Sequence, residues 1–444
     1  MSAGSPIAAR LGEKLTSSLT GELPAVGTTR NLSRGASTAN KVTPVIGMRR
    51  TGKTTYLHQL RRERLQQGIP RERLPYLHFD DESLEGVTVR HLHGLIEEYY
   101  RSFPALRGES TVIWCFDEIE IVPGWERFVR SLLDSDKVEV FIGGARASLL
   151  PAISPELPGR TGEIVVYPFS FEEYLRRHGQ SVPQSPAAVS PSQRAALEQT
   201  FLEFLERGGF PQAQGLAAKD RRVLLHDYVD LAILRDLLER RGVTNIAAVR
   251  SLVRQLLGSP AAPYSIEKLH TGLRAQGITV PRDHVLPLVQ HLEDCFLVRT
   301  VRMESDSDPQ RPAQAGKVYP IDTGLIAVYE RRGEPATAAA LKTAVLLELE
   351  RRGREVTHVR TPVGREVDFL VRSSGGAQEL IQVCAAATDF GVIERALQGL
   401  REAEQSYPHA TKRLLTLTRD SIPEKLPVGL SAQPAYEWLL ASSD

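Results

Sequence analysis

The 444-residue chain has only three cysteines, Cys115, Cys295 and Cys384, and they lie far apart. That excludes a disulfide framework, and the spacing suits no tetrahedral zinc site. A reducing, cytoplasmic setting is therefore expected. The chain also lacks any apolar run long enough to cross a bilayer, and its N-terminus lacks the basic-then-apolar order of a secretory signal, so no membrane association is expected. Charge of one sign is missing as well: 55 Lys and Arg against 54 Asp and Glu leave a net +1. No global field draws in nucleic acid, and any DNA affinity has to come from a local patch. Residues 1–40 have few large apolar groups and are rich in Ser, Thr, Ala and Gly. They are expected to be largely disordered, with one amphipathic turn over 7–15. A transit segment is the alternative reading, opposed by Glu13 and Glu22. The remaining length has room for two to four domains.

What the chain does have is a phosphate-binding pattern. Residues 47–54 read Gly-Met-Arg-Arg-Thr-Gly-Lys-Thr, which is G-x-x-x-x-G-K-[ST]. Average residue frequencies produce it by chance in roughly one or two chains in a hundred of this length. Gly47 and Gly52 permit turns that a side chain would obstruct. The amides of Met48, Arg49, Arg50, Thr51 and Thr55, with the start of the following helix, are suited to cradle phosphates. Lys53 supplies a point charge, and Thr54 a hydroxyl for Mg²⁺. The surroundings fit: 42–46 is a short apolar run, and Tyr56, Leu57, Leu60 and Leu65 then recur at helical spacing until Gly68. Pro44 is a blemish, because a central strand wants its N–H.

A second apolar run, 111–116, ends in Asp117-Glu118. An acid at the end of a buried strand lies beside the phosphate loop in this architecture. Asp117 is the candidate Mg²⁺ acid and Glu118 the candidate base that orients the attacking water. Further strand candidates are 76–79, 138–142 and 163–166, each separated by a helical stretch. Five strands with helical crossovers imply an α/β fold with a five-stranded parallel sheet. Glu directly after the Mg²⁺ acid marks the branch of phosphate-loop NTPases with an extra strand between the phosphate-loop and Asp-Glu strands.

Several motifs occur in order: residues 47–55, Phe79-Asp80-Asp81, Phe116-Asp117-Glu118-Ile119, Val122-Pro123-Gly124-Trp125-Glu126 and Pro158-Gly159-Arg160. Tyr167-Pro168-Phe169-Ser170-Phe171-Glu172-Glu173-Tyr174 and Gly208-Gly209-Phe210-Pro211 follow. Together, over most of 41–420, they resemble the archaeal-type AAA ATPases. The resemblance implies a P-loop ATPase core at 41–178 that takes ATP and Mg²⁺. It also implies a helical extension at 193–242, a winged-helix-like domain at 243–305 and a restriction-endonuclease-like domain at 317–444. By the same resemblance Arg160 is the arginine that stabilises the γ-phosphate, in cis or from a second copy of the chain, and DNA is the implied macromolecular partner. The chain departs from the family at Ala145, which lacks the usual hydroxyl; Arg146 is a possible substitute. Hence the alternative function is a nucleotide-dependent binding switch with little turnover.

The helix expected at 282–295 mixes acids and histidines with its cations, which favours packing over direct DNA contact. His284 and His291 have no acid or thiol at a spacing that would complete a metal site. Further on, Asp368 takes the place of the first nuclease acid. The half-motif that needs a lysine reads Gln382-Val383-Cys384, and Lys342 stands where a helical acid is usual. One carboxylate and an amide hold Mg²⁺ poorly, so cleavage is not expected unless Glu348 and Glu366 assist.

Overall fold

The apolar run before the glycine-rich loop becomes β1 (Lys41–Ile46) in the computed structural model of the chain. The structure describes residues 6–32, 40–144, 162–239, 242–304, 315–329, 337–385 and 390–441. These fall into two units, Met1–Val166 and Tyr167–Asp444.

In the first unit β1 is joined by β2 (Tyr76–His78), β3 (Val112–Asp117), β4 (Val138–Gly143) and β5 (Ile164–Val165). All pairings are parallel, in the order β2-β3-β4-β1-β5. β4 is thus the extra strand between β1 and β3. Every residue of β3 and β4 is buried, as expected for strands covered on both faces. Pro44 is accommodated by alternation. The carbonyls of Val42 and Ile46 accept bonds from Gly162 and Val166, so the intervening Pro44 nitrogen also faces the β5 side. There the ladder pairs only Val45 and Ile46, and no missing donor interrupts it.

The N-terminal segment departs from expectation. Residues 6–20 form helix α1 (Pro6–Thr20), and Leu11, Leu15 and Leu19 are buried. A leucine every four residues makes one apolar stripe, which composition averaged over 40 residues had diluted. α1 packs on β2 and α3 (Val89–Ser102). α2 (Lys53–Gln66) and α4 (Trp125–Ser135) complete the unit.

The second unit runs from Tyr167, so residues 167–178 cluster with it. Its elements are α5 (Phe171–Arg177), α6 (Pro191–Arg207), α7 (Ala218–Ala232) with a π-helical continuation Ile233–Glu239, α8 (Ile246–Leu257), β6 (Pro263–Ser265), α9 (Ile266–Ala275), α10 (Arg282–Asp294) and β7 (Val298–Arg302). Next come β8 (Ala315–Pro320), α11 (Gly324–Tyr329), α12 (Thr337–Arg351), β9 (Glu355–Arg360), β10 (Glu366–Arg372), β11 (Gln378–Cys384), α13 (Phe390–Ser406), β12 (Thr411–Thr416), β13 (Leu430–Pro434) and α14 (Ala435–Leu440). One apolar core joins Phe171 and Tyr174 of α5, Phe201 of α6, Val345 of α12, Phe369 of β10 and Tyr436 of α14. Polar loops interrupt the chain without interrupting that core. Lys317, expected to open a new domain, lies in β8, which pairs antiparallel with β6 and β7. The other sheet has the order β13-β12-β11-β10-β9, antiparallel among β9, β10 and β11 and parallel from β11 to β13.

In α7 and its continuation the buried face is Leu225, Tyr228, Val229, Ala232 and Leu237, while Leu234 is exposed. α12 is buried continuously from Thr343 to Leu349 and is a central helix rather than a surface one.

The Gly-Gly-Phe-Pro motif closes a junction in this unit. Gly209 N–H donates to Asp322 Oδ2 at 2.6 Å, and Gly324 N–H to Oδ1 at 2.9 Å. Burial pushes the Asp322 carboxyl up to about 6, against the pull of those two amides. The folded chain therefore binds this proton more tightly than the unfolded one, where the carboxyl titrates near 3.8. The stability this group lends is full below that value and falls by about 3 kcal/mol as pH rises through the folded value. Asp322→Asn abolishes the titration and loses one amide acceptor. Thermal melts should show wild type well above the variant at pH 4, with the gap narrowing by pH 7. Parallel melting curves across that range would show that Asp322 does not titrate in this window.

Candidate functional site

Gly47 is glycine because of what surrounds it: a Cβ there would lie 2.4 Å from Val166 O, and its φ is +148°. Gly52 (φ +103°) caps α2. The helical ladder opens with Tyr56 N–H donating to Gly52 O at 2.9 Å. The amides before it are the unsatisfied donors that a helix start presents, aimed along its axis. Met48 and Thr51 are buried and brace the turn, with Thr51 Oγ1 donating to Met48 O at 2.9 Å. Arg49 is half-buried, Arg50 is exposed at φ +68°, and Thr54 and Thr55 are exposed on the first turn of α2. Lys53 is 8% exposed; its Nζ donates to Gly47 O (3.1 Å) and Met48 O (3.2 Å), across the loop.

The strand order brings the second motif alongside. Asp117, Gly143 and Val45 lie level across β3, β4 and β1. Thr54 Oγ1 donates to Asp117 Oδ2 at 2.7 Å. Tyr76 Oη donates to the same oxygen at 3.0 Å, and His78 Nδ1 stands 3.3 Å from it, a charge contact rather than an aligned hydrogen bond. Burial pushes the Asp117 carboxyl up, but His78, Thr54 and Tyr76 outweigh it and hold it below the usual carboxylate value. The contact with Asp117 in turn pushes His78 up, against its own burial. Gly143 makes room: a Cβ there would stand 2.2 Å from Asp117 Oδ1. Glu118 has the left-handed backbone φ 57°, ψ 34°, and its N–H donates to Gly143 O at 2.7 Å. A non-glycine residue held in that region is strained by about 1–3 kcal/mol, and such residues cluster at functional sites. Thr54 and Asp117 thus present a hydroxyl and a carboxylate side by side, the hard-oxygen donor set that suits Mg²⁺ with most of its waters retained.

The structure therefore brings Lys53, Thr54, Asp117 and Glu118 to the C-terminal ends of β1 and β3. Arg160, Ala145 and Arg146 lie outside the described residues. Sequence reasoning missed Tyr76 and His78. Their signal was two polar residues spaced by two in a short strand, which places both on one face.

The C-terminal acids are arranged differently. Asp368 is buried in β10, and its Oδ1 accepts from Lys342 Nζ at 2.6 Å. Lys317 Nζ lies 2.9 Å from Glu366 Oε2 and 3.7 Å from Asp368 Oδ1. Val383 N–H donates to Asp368 Oδ2 at 3.0 Å, and Gln382 Oε1 accepts from Asp368 N–H at 3.2 Å. Glu348 is paired instead with Arg351 and Arg352. Two ammonium groups thus neutralise the two carboxylates, and a divalent cation does not fit that donor set. Among the described residues no group of three or more His, Cys, Asp or Glu is placed to hold a metal, His284 and His291 included. On α10 the exposed face carries Arg282, Asp283, His284 and Gln290, and Arg282 is bonded to Glu267 at 2.8 Å. None of the described helices is long and apolar enough to cross a membrane.

Residues 39–175 match a family model described as an AAA domain, and residues 198–335 match a domain of unknown function. The first match contains the phosphate loop, Asp117 and Glu118; the second runs from α6 past the β6-β8-β7 sheet. An uncharacterized protein of Methanocaldococcus jannaschii is 29% identical over 354 residues, covering 78% of this chain and 75% of that one. An uncharacterized protein of Haemophilus influenzae is 27% identical over 343 residues, covering 77% and 81%. Among solved structures, the Walker-type ATPase of Pyrococcus abyssi is similar at 16% identity and a TM-score of 0.36, over 72% of this chain and 94% of that one.

Proposed function

We propose that this chain, which carries an AAA domain at residues 39–175, binds Mg·ATP and hydrolyses it. The observation that carries the reading is the bond between Thr54 and Asp117, 2.7 Å long, which joins the helix after the phosphate loop to the acid at the end of β3. Residues 47–55 wrap the phosphates, Lys53 offsets their charge, and Thr54 with Asp117 would hold Mg²⁺. The ion, when bound, neutralises charge on the β- and γ-oxygens. Glu118, fixed by its backbone bond to Gly143, orients and deprotonates the attacking water. Arg160 stabilises the γ-phosphate, and if it comes from a second copy the active form is a homo-oligomer.

We further propose that residues 243–305, whose strands β6 and β7 pair with β8, form a winged-helix-like module. Residues 317–444 form a restriction-endonuclease-like module without cleavage activity. The Lys317 and Lys342 ammoniums beside Glu366 and Asp368 support the second point. A DNA partner, if engaged, would be held by surfaces other than the mixed face of α10.

Glu118→Gln separates this reading from the binding switch that Ala145 suggests. Phosphate release by the intact chain should exceed background and drop about 100-fold or more in the variant, with ATP binding retained. Release at background from the unmodified chain would remove the enzyme reading and leave the switch.

A further inference from the structure

Residues 6–32 touch the nucleotide site at two points. At one end Ser18 Oγ accepts from Tyr76 N–H at 3.2 Å, and Tyr76 Oη reaches Asp117 Oδ2. The carbonyls at the end of α1 are capped by Arg61, which donates to Ser18 O at 2.6 Å, and by Arg71, which donates to Gly21 O. Cations at a helix C-terminus oppose the negative end of its dipole. Lys14 pairs with Asp81. At the other end the backbone of Arg30 is gripped by a side chain of α2. Its N–H donates to Gln59 Oε1 at 2.8 Å, and its carbonyl accepts from Gln59 Nε2 at 3.0 Å. The Arg30 guanidinium is buried, with the residue 5% exposed, and Nη1 donates to Thr51 O at 2.9 Å.

That last bond acts on the phosphate loop itself. In a trans peptide the carbonyl of one residue and the N–H of the next point in opposite directions in one plane. Holding Thr51 O therefore also sets the direction of the Gly52 N–H. Gly52, at φ +103°, has no side chain to restrict it, and a Cβ there would lie 3.7 Å from Arg30 Nη1. The Thr51 carbonyl is buried with its residue, and a buried carbonyl without a donor is costly, so the guanidinium selects this orientation of the plane over the flipped one.

We infer that residues 6–32 act as a strap that sets the nucleotide site from outside its two motifs, with Arg30 as a positioning residue that orients the Gly52 amide toward the phosphates. The inference rests on residues 47–54 being the nucleotide loop. Strap and loop are linked by a charged donor, so a change at Arg30 alters nucleotide affinity through loop geometry and not through contact with the reacting atoms.

The test uses the full chain with Mg·ATP as probe. Affinity and steady-state turnover are measured for wild type, Arg30→Ala, Arg30→Lys and Lys53→Ala, and nucleotide-free melting is recorded for each. Arg30→Ala should weaken Mg·ATP binding about tenfold and raise KM in step, with kcat changed less than threefold. Arg30→Lys, which keeps one charged donor, should recover part of the affinity. If Arg30→Ala melts below wild type without nucleotide, Arg30→Lys is the variant read, with a threefold loss expected. Unchanged affinity in a fully folded Arg30 variant, with binding abolished in Lys53→Ala, overturns the strap and leaves the nucleotide site standing. Undiminished binding in Lys53→Ala overturns the nucleotide site itself.

Discussion

Lys53→Ala is expected to weaken Mg·ATP binding by about two to three orders of magnitude while leaving the first unit folded. The ammonium stands across the loop, 3.1 Å and 3.2 Å from the carbonyls of Gly47 and Met48, so it is already at the place where the loop converges. Hydrogen bonds to a charged group contribute about 1.5–3 kcal/mol each, and a lysine serves two phosphate oxygens, so a loss toward the lower end of their sum, about 3–4 kcal/mol, follows. Folding should change far less. Met48 O keeps its bond from Thr51 Oγ1, and Gly47 retains the close packing on Val166 O that excludes any side chain. Lys53→Arg tests geometry against charge: its planar fork cannot replace a compact ammonium between two carbonyls, so it should rescue little. Titration calorimetry with Mg·ATP, paired with melting curves in its absence, measures both halves. A variant that melts like wild type and binds like wild type would show that the loop is no phosphate site.

The parts legible in the sequence are those where one residue's chemistry is fixed by its own backbone. Gly47 and Gly52 could be read because the turn demands left-handed or crowded positions, and the structure places both there. Asp117 could be read because a carboxylate at the end of an all-apolar strand is costly to bury unless a cation or several donors meet it there. What could not be read depends on residues distant in the chain. Tyr76 and His78 reach Asp117 from 41 and 39 positions away, and Arg30 reaches Thr51 from 21. No local pattern announces such contacts. Lys342 was suspect in the sequence because it stood where an acid was expected. Lys317 was not, because the strand that carries it lies in a different sheet from β10. The shared core of the second unit was illegible for a related reason. A run such as 179–192 has the composition of a linker, yet Phe171 before it and Phe201 after it meet edge to face, ring centroids 5.0 Å apart, in one core. Composition reports whether a segment is polar, not whether the apolar elements on either side find each other.

Gly208→Ala should be among the most destabilising single substitutions in the second unit, by about 3–5 kcal/mol. Two separate causes add. At φ 76° and ψ −178° the backbone occupies a region open almost only to glycine, which costs a side chain about 1–3 kcal/mol. The added Cβ would also stand 1.9 Å from Asp322 Oδ1 and 2.7 Å from Gly324 N, both within the junction that Asp322 bonds together. Relief would require the carboxylate to release the Gly324 amide, leaving a buried donor and a buried charge less satisfied. Gly215→Ala is the control: its φ is +82°, but nothing lies within 4 Å of the added atom, so only the backbone part remains. Gly208→Ala should therefore melt well below Gly215→Ala. Adding Asp322→Ala to Gly208→Ala should cost less than the sum of the two changes, because the methyl group then meets no carboxylate. Strict additivity, or equal melting temperatures for the two glycine variants, would mean that the contact between Gly208 and Asp322 does not constrain this unit.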